Sequence, residues 1–421
     1  MGYELTEDDR PQRALLLELL RAALAAVDGR RCTREALGAR EALGGSSPRA
    51  VRHASPSVDD GRPVWAAAIG KAAAAMALGA ADALGARLER LLLITKEGHI
   101  GEEVRRLGCV ETHESGHPVP DTRSLAAGAR LLNYVDAIPR SARPLFLVSG
   151  GASSLVEVLA PGVTLEELLQ LNLEGLARAL PIEALNARRR AISLLKGGRL
   201  SAKLSGRRAL ALFLSDVPGD DPAVIGSGLL GPSSAPGSRE PDDIERRVIA
   251  SIDEARQAVC DRVAGLSVNA PRERFNGRVE RLAVQMAHDT ALGSAALHVW
   301  GGESVVELPE HPGRGGRNQQ LALAAARLIA GRDDVFLLAA GTDGTDGPTP
   351  DAGALVDGET CARIACAGVD VDEALRRADA GTALEAAGDL VHTGPTGTNV
   401  GDLVLGLKLS RAGARELLCD C

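Results

Sequence analysis

Val335–Gly353 reads VFLLAAGTDGTDGPTPDAG. Its first half is wholly apolar and has the length expected of a buried strand. The second half breaks into a loop carrying Asp343, Asp346 and Asp351, with three threonines, two prolines and several glycines. An apolar strand ending in an oxygen-rich glycine loop is how open α/β sheets hold ligands beyond the carboxyl ends of their strands. A purely structural turn needs few acceptors, so this loop is read as functional.

Composition bounds what such a loop can serve. The chain has 421 residues, 45% hydrophobic and 25% charged, enough for two or three domains with sizeable cores. Aromatics are only 2%, which leaves little for base stacking. A net charge of −8 argues against a general nucleic-acid or anionic-membrane surface. Any anionic ligand must therefore be held by a local cluster of Arg and Lys. No run of about 18 apolar residues is present, and the acidic start MGYELTEDDR is unlike a basic signal peptide. Seven cysteines without paired spacing fit a reducing compartment, and the expectation is a cytoplasmic protein.

Working outward, the strand-then-loop pattern recurs. VWAAAIGKAAAAMALGAADALG reads as a buried strand, then Gly70 and Lys71, then an Ala-rich helix; a lysine there can offer a fixed cation at the sheet edge. It is no Walker A motif, since the upstream glycine is missing and Ala72 follows the lysine. The plain alternative is a surface lysine at a helix start. LLLITK is a second strand, and His117 and Asp121 follow a third, where a loop-capping partner is the expected role of the histidine. PLFLVSGGASSLVEV ends a strand in Ser149, Gly150, Gly151, Ala152, Ser153 and Ser154, small residues whose N–H groups and hydroxyls can close on an oxyanion. Thr164 with Glu167 predicts a capping box at a helix reaching Leu180. LNARRRAISLLKGGRLSAKL concentrates Arg188, Arg189, Arg190, Lys196, Arg199 and Lys203, and its Lys-Gly-Gly-Arg break suggests the edge of an active site. Asp216, Asp220 and Asp221 lie beyond a further strand.

Gly226-Ser-Gly228-Leu-Leu-Gly231 is formally GxGxxG, but PSSAPGSREPDD follows it, so no helix begins there and the dinucleotide reading is rejected. Helices are expected over 242–264 and 277–296, a domain boundary at 264/265, and a hairpin turning at Gly301-Gly302-Glu303. Arg314 and Arg317 sit in a glycine loop before a helix, an arrangement that suits closure on an anion. LVHTGPTGTNVGDLVLGLKL adds a final loop with Thr393, Thr396, Thr398 and Asn399. Strands alternate with helices in both halves, predicting two α/β/α-layered domains, 1–264 and 265–421, with largely parallel sheets. Carboxylates suit Mg²⁺ while glycine turns and arginines suit phosphoryl oxygens, so the residues point to a phosphotransferase or a carboxylate-binding enzyme.

The motifs IGKAAAAMA, ESGHPVPD, VSGGASSLVEV, LSDVPGDDPAVIGSG, GGESVVELPEHPGRGGRNQQ, LAAGTDGTDGPTPDAG and HTGPTGTNVGDL, running in order from about Lys71 to Leu407, resemble the MOFRL-domain glycerate 2-kinases. Some members of that family have carried the label hydroxypyruvate reductase. The segment 264–300 departs from the family pattern. The resemblance implies an active-site cleft between two domains and Mg²⁺- and ATP-dependent phosphorylation of D-glycerate at its 2-hydroxyl. It also implies cationic roles for Lys71 and for Arg317 of GGRNQ. On this reading Lys71, Arg317, Asp216 and Asp343 are catalytic, and Asp216, Asp343 and Asp346 hold the metal. Ser149, Gly150, Gly151, Ser153, Ser154, Arg190, Lys196, Arg314, Asn318, Thr398 and Asn399 bind substrate or phosphate, and Asp351 holds the turn. The implied partners are D-glycerate and ATP, not nucleic acid or membrane, with the chain a monomer or homodimer. The alternative is an NAD(P)H-dependent hydroxypyruvate reductase, which lacks its strand-GxGxxG-helix signature here.

Overall fold

A computed structural model describes residue 8 and residues 10–38, 61–177, 182–232, 243–263 and 265–419. The chain is α/β and divides into two compact units. One is built from the chain between Asp28 and Ala250. The other joins the N-terminal residues through Val27 to everything from Ser251 onward.

The first unit holds six parallel strands: β1 (Val64–Ile69), β2 (Leu88–Lys96), β3 (Val110–Ser115), β4 (Arg143–Val148), β5 (Ala209–Leu214) and β6 (Ile244–Ala250). Their order is β3-β2-β1-β4-β5-β6, which reverses direction between β1 and β4. At such a reversal the loops leaving two adjacent strands turn apart and open a crevice for ligands. β1, β4 and β5 are buried along their whole length, as a sheet covered by helices on both faces requires. With few aromatics available, the core rests on Leu, Ala, Ile and Val around Phe146 and Phe213. The helix Thr122–Ala137 starts where Asp121 and Ser124 form a reciprocal capping box. Thr164 and Glu167 also cap reciprocally at the helix Leu165–Ala177. The end of that helix expected at Leu180 lies outside the described residues.

The second unit holds β7 (Val268–Asn269), β8 (Phe275–Arg278), β9 (Leu297–Val305), β10 (Val335–Gly341), β11 (Gly353–Asp357), β12 (Leu390–Val391) and β13 (Asp402–Lys408). The order is β12-β11-β10-β13-β9-β7, with β8 also on β9. This sheet is mixed rather than largely parallel: β10 runs antiparallel to both β11 and β13, and β13 antiparallel to β9. For β10 and β11 the reason is the connection 342–352, too short for the crossover of a dozen or more residues that parallel neighbours need.

Three local expectations change. Residues 242–264 hold edge strand β6 followed by the helix Ile252–Arg262, not one helix, because Ser251 and Glu254 form a capping box that starts the helix there. β8 occupies the start of the expected helix 277–296, which is confined to Val279–Leu292. β9 runs straight through Gly301–Gly302: these glycines admit neighbouring chains rather than a turn, and a Cβ on Gly302 would strike the Phe275 backbone. The compact units also divide differently from 1–264 and 265–421. The helix Pro11–Ala26 packs on Ile252–Arg262 and on the C-terminal helix Arg411–Cys419, which carries it into the second unit. No helix of the described residues is long and apolar enough to cross a membrane.

Candidate active site

The crevice at β1 and β4 is assembled from backbone. The Lys71 N–H donates to the Gly150 carbonyl at 2.9 Å, and Ala72 N–H to the Ser149 hydroxyl at 3.0 Å. Gly70 has φ +132°, and a Cβ there would run into Ser149, so the two loops meet only because residue 70 is glycine. Gly151, at φ +86°, faces the Lys71 stem and the His117 ring; a Cβ would lie 3.1 Å from each. The N–H groups of Gly150, Gly151 and Ala152 donate to no acceptor among the described residues. Consecutive uncommitted amides beside a lysine are what an oxyanion requires. Behind them the Ser153 and Ser227 hydroxyls lie 2.8 Å apart, and Ser227 donates to Asn186 at 2.9 Å. Ser154 is turned inward onto the Gly151 carbonyl at 3.1 Å. Asp216 lies just past β5.

One expected member is not presented as a ligand. Lys196 is fully buried against Glu157, also fully buried, and this ion pair ties the Lys-Gly-Gly-Arg turn to the segment after β4. Burial pushes the Lys196 ammonium down from its ordinary value while Glu157 opposes the shift. The side chain of Arg190 makes no bond among the described residues; its carbonyl accepts from Arg199 at 2.6 Å. The formal GxGxxG is a loop, with Gly226 and Gly228 at positive φ and the Ser227 and Gly228 carbonyls accepting from Gly197 and Gly198.

In the second unit the helix Arg317–Ile329 points its N-terminus at the ends of β10 and β13. Asp346 reaches it from the loop after β10: one oxygen accepts from Asn318 N–H at 3.1 Å, the other from Gln319 N–H at 2.8 Å. That carboxyl caps the helix from a distant part of the chain. Burial raises it to about 7, against the two amides that hold it down. Both oxygens are engaged by the helix N-terminus. Asp343 Oδ1 accepts from Thr345 N–H at 3.1 Å and faces the same point beside Gly341 as Asn318 Nδ2.

Arg317 is the first residue of that helix. Its Nη2 donates to Asp402 Oδ1 at 3.0 Å and to Glu303 Oε1 at 2.9 Å. Its Nε lies 2.6 Å from Asp402 Oδ2, an ion contact rather than a directed hydrogen bond. Asn318 Oδ1 and Thr398 Oγ1 are buried without a hydrogen-bond partner, as polar atoms left for a ligand would be. Asn399 is buried in the same loop as Thr398, and Thr342 stitches that loop to its own by donating to the Gly401 carbonyl at 2.7 Å. Arg314 instead joins Asp351 at 3.3 Å, and His392 lies 2.8 Å from the other Asp351 oxygen. That pairing gives Asp351 the turn-holding role expected of it.

Residues 15–259 match a family model described as a domain of unknown function (DUF4147), and 296–402 match the MOFRL family. A D-glycerate 2-kinase from Thermotoga maritima is 35% identical over 398 residues, 85% of this chain and 94% of the relative. The chain belongs to the MOFRL-domain glycerate 2-kinase family. A crystal structure described as glycerate kinase from Thermotoga maritima superposes with a TM-score of 0.75 at 32% identity, covering 94% of this chain and 99% of that one. A protein from Agrobacterium vitis named putative hydroxypyruvate reductase is 33% identical over 79% of this chain and 96% of its own. Sequence reasoning missed Asp402 and Glu303 as the partners of Arg317, and Glu157, Asn186 and Ser227 as the partners of Lys196 and Ser153. Asp402 carried a signal, a lone carboxylate between a Gly/Thr/Asn loop and an apolar run. Glu157 carried none.

Proposed function

We propose that the chain transfers the γ-phosphoryl group of ATP to the 2-hydroxyl of D-glycerate, giving 2-phosphoglycerate and ADP. The hydroxyl oxygen forms the new bond to phosphorus, the bond from phosphorus to the bridging oxygen of ADP breaks, and the hydroxyl proton passes to Asp216 or Asp343. The single observation carrying this reading, beside family membership, is the row of uncommitted amides at Gly150–Ala152 next to Lys71. They are preorganised donors for an anionic oxygen. Mg²⁺ would enter with the nucleotide and neutralise its phosphate oxygens. Kinase sites hold it through one or two carboxylates plus phosphates. The hard oxygens of Asp216, Asp343 and Asp346 are each of the kind that suits that role.

Reduction of hydroxypyruvate is disfavoured because Gly226–Gly231 forms a loop packed on Gly197–Gly198 and starts no helix for a pyrophosphate. A coupled ADP-release assay with D-glycerate decides between the readings. Magnesium-dependent turnover without NADH or NADPH oxidation by hydroxypyruvate is expected; absence of any turnover with D-glycerate would sink the proposal.

A further inference from the structure

The guanidinium of Arg317 is held along one side only. Asp402 covers its Nε/Nη2 side, and Glu303 takes the remaining hydrogen of Nη2. Nη1 has no partner among the described residues. The Nη1/Nη2 end is the fork that grips a carboxylate or phosphate in a two-point contact, and Glu303 occupies half of it.

The two acids are unlike in every respect that decides permanence. The Asp402 side chain is 1% exposed and that of Glu303 47%. Asp402 opens β13 between Gly341 of β10 and Gly302 of β9, and its Oδ1 also accepts from Asn318 Nδ2 at 3.1 Å. Among the described residues, the Glu303 carboxylate binds nothing but Arg317. An exposed single ion pair is weak and exchanges readily, whereas a buried pair is costly to break.

We propose that Asp402 is a positioning residue that orients Arg317, and that Glu303 is a placeholder carboxylate displaced by an oxyanion of the substrate. This rests on the kinase reading, with Arg317 in its site. The oxyanion is either the glycerate carboxylate or a phosphate of ATP. A stand-in acid keeps the arginine charged and directed while the site is empty. It also sets a threshold, since a ligand must outcompete it on Nη2.

Steady-state kinetics of Glu303→Gln and Asp402→Asn, with calorimetric titration of inorganic phosphate, test this. Glu303→Gln is expected to lower KM severalfold for one substrate: for D-glycerate if its carboxylate takes the fork, for ATP if a phosphate does. Asp402→Asn is expected to lower kcat by tenfold or more, with a smaller change in KM and a folded circular dichroism spectrum. A purely structural acid would shift the melting temperature without that split. Glu303→Gln with both KM values unchanged or raised overturns the placeholder role, and wild-type kcat in Asp402→Asn overturns the positioning role. Should Asp402→Asn not fold, the exposed Glu303 still decides through Glu303→Gln. Should the wild-type chain release no ADP, the kinase reading fails separately. Phosphate titration then still discriminates: tighter binding by Glu303→Gln, abolished in Arg317→Ala, supports the exchange, and anything else overturns it.

Discussion

Lys196 shows what a single residue can conceal. In the sequence it sits within a basic block that suggests a phosphate contact. In the fold it is buried and paired with Glu157, neither side chain reaching solvent. Removing one member strands the other charge at a cost of about 3–5 kcal/mol, while replacing both with apolar residues is often neutral or stabilising. Lys196→Met should therefore lower the denaturation midpoint sharply, and Lys196→Met with Glu157→Leu should restore most of it, read by urea unfolding. Gly70 carries the opposite lesson, since its requirement is steric and sits inside the candidate site. Gly70→Ala forces a Cβ onto Ser149 at a positive φ. Backbone strain of that kind costs about 1–3 kcal/mol. The expected result is a lower melting temperature together with lost kcat/KM; wild-type kinetics would show that the β1/β4 crevice is not where the chemistry occurs.

The N-terminal helix Pro11–Ala26 is tied to the rest of its unit through a network of charges. Arg13 reaches Asp8 at 2.5 Å, Asp357 at 2.9 Å and Asp389 at 3.0 Å, and Arg363 closes the network at Asp357 and Asp389. Burial works against the charge on Asp8, but hydrogen bonds from Arg10 and Arg13 outweigh it and hold the carboxyl at about 2. Asp357 is likewise held below its ordinary value, burial opposing and Arg363 and Arg13 prevailing. A depressed acid binds fewer protons folded than unfolded, so its stabilisation is present above the ordinary carboxylate pKa near 3.8 and is lost as pH falls toward 2. Hydrogen exchange in Pro11–Ala26 should therefore accelerate across that window, and Asp8→Asn should flatten the dependence. An unchanged pH profile in the variant would place the sensitivity elsewhere.

For the molecule as a whole, the compact units predict which pieces fold. A fragment of residues 28–250 carries the complete six-stranded sheet and should melt cooperatively. A fragment starting at residue 265 lacks Pro11–Ala26 and Ile252–Arg262, helices that pack on each other and against β9 and β13. It should be unfolded or aggregated by circular dichroism and light scattering. Adding residues 251–264 and supplying the N-terminal helix should recover structure. Cooperative folding of the 265–421 fragment alone would refute the division.

Much of this was legible in the sequence. Runs such as LFLV and VFLLAAG mark buried strands, and the glycine loops after them mark where ligands sit, because hydrophobic period and turn chemistry are local properties. The glycine loops at Lys71 and at Ser149–Gly151, the Thr164–Glu167 cap and the helix start at Arg317 all follow from that level. What a carboxylate does once the chain has folded is not local. Asp346 caps a helix that precedes it in the chain, Asp402 holds an arginine from another element, and Glu157 buries a lysine that the sequence offers to solvent. The antiparallel course of β10 and β11 depended on connection length and on neighbouring strands, and the place of the first helix on partners at the far end of the chain. Sequence patterns settled most of the buried strands and the glycine loops after them, though not β6, β8 or the course of β9; only tertiary structure decided which charges are paired, buried or left for a ligand, because each pairing joins residues that no local pattern relates.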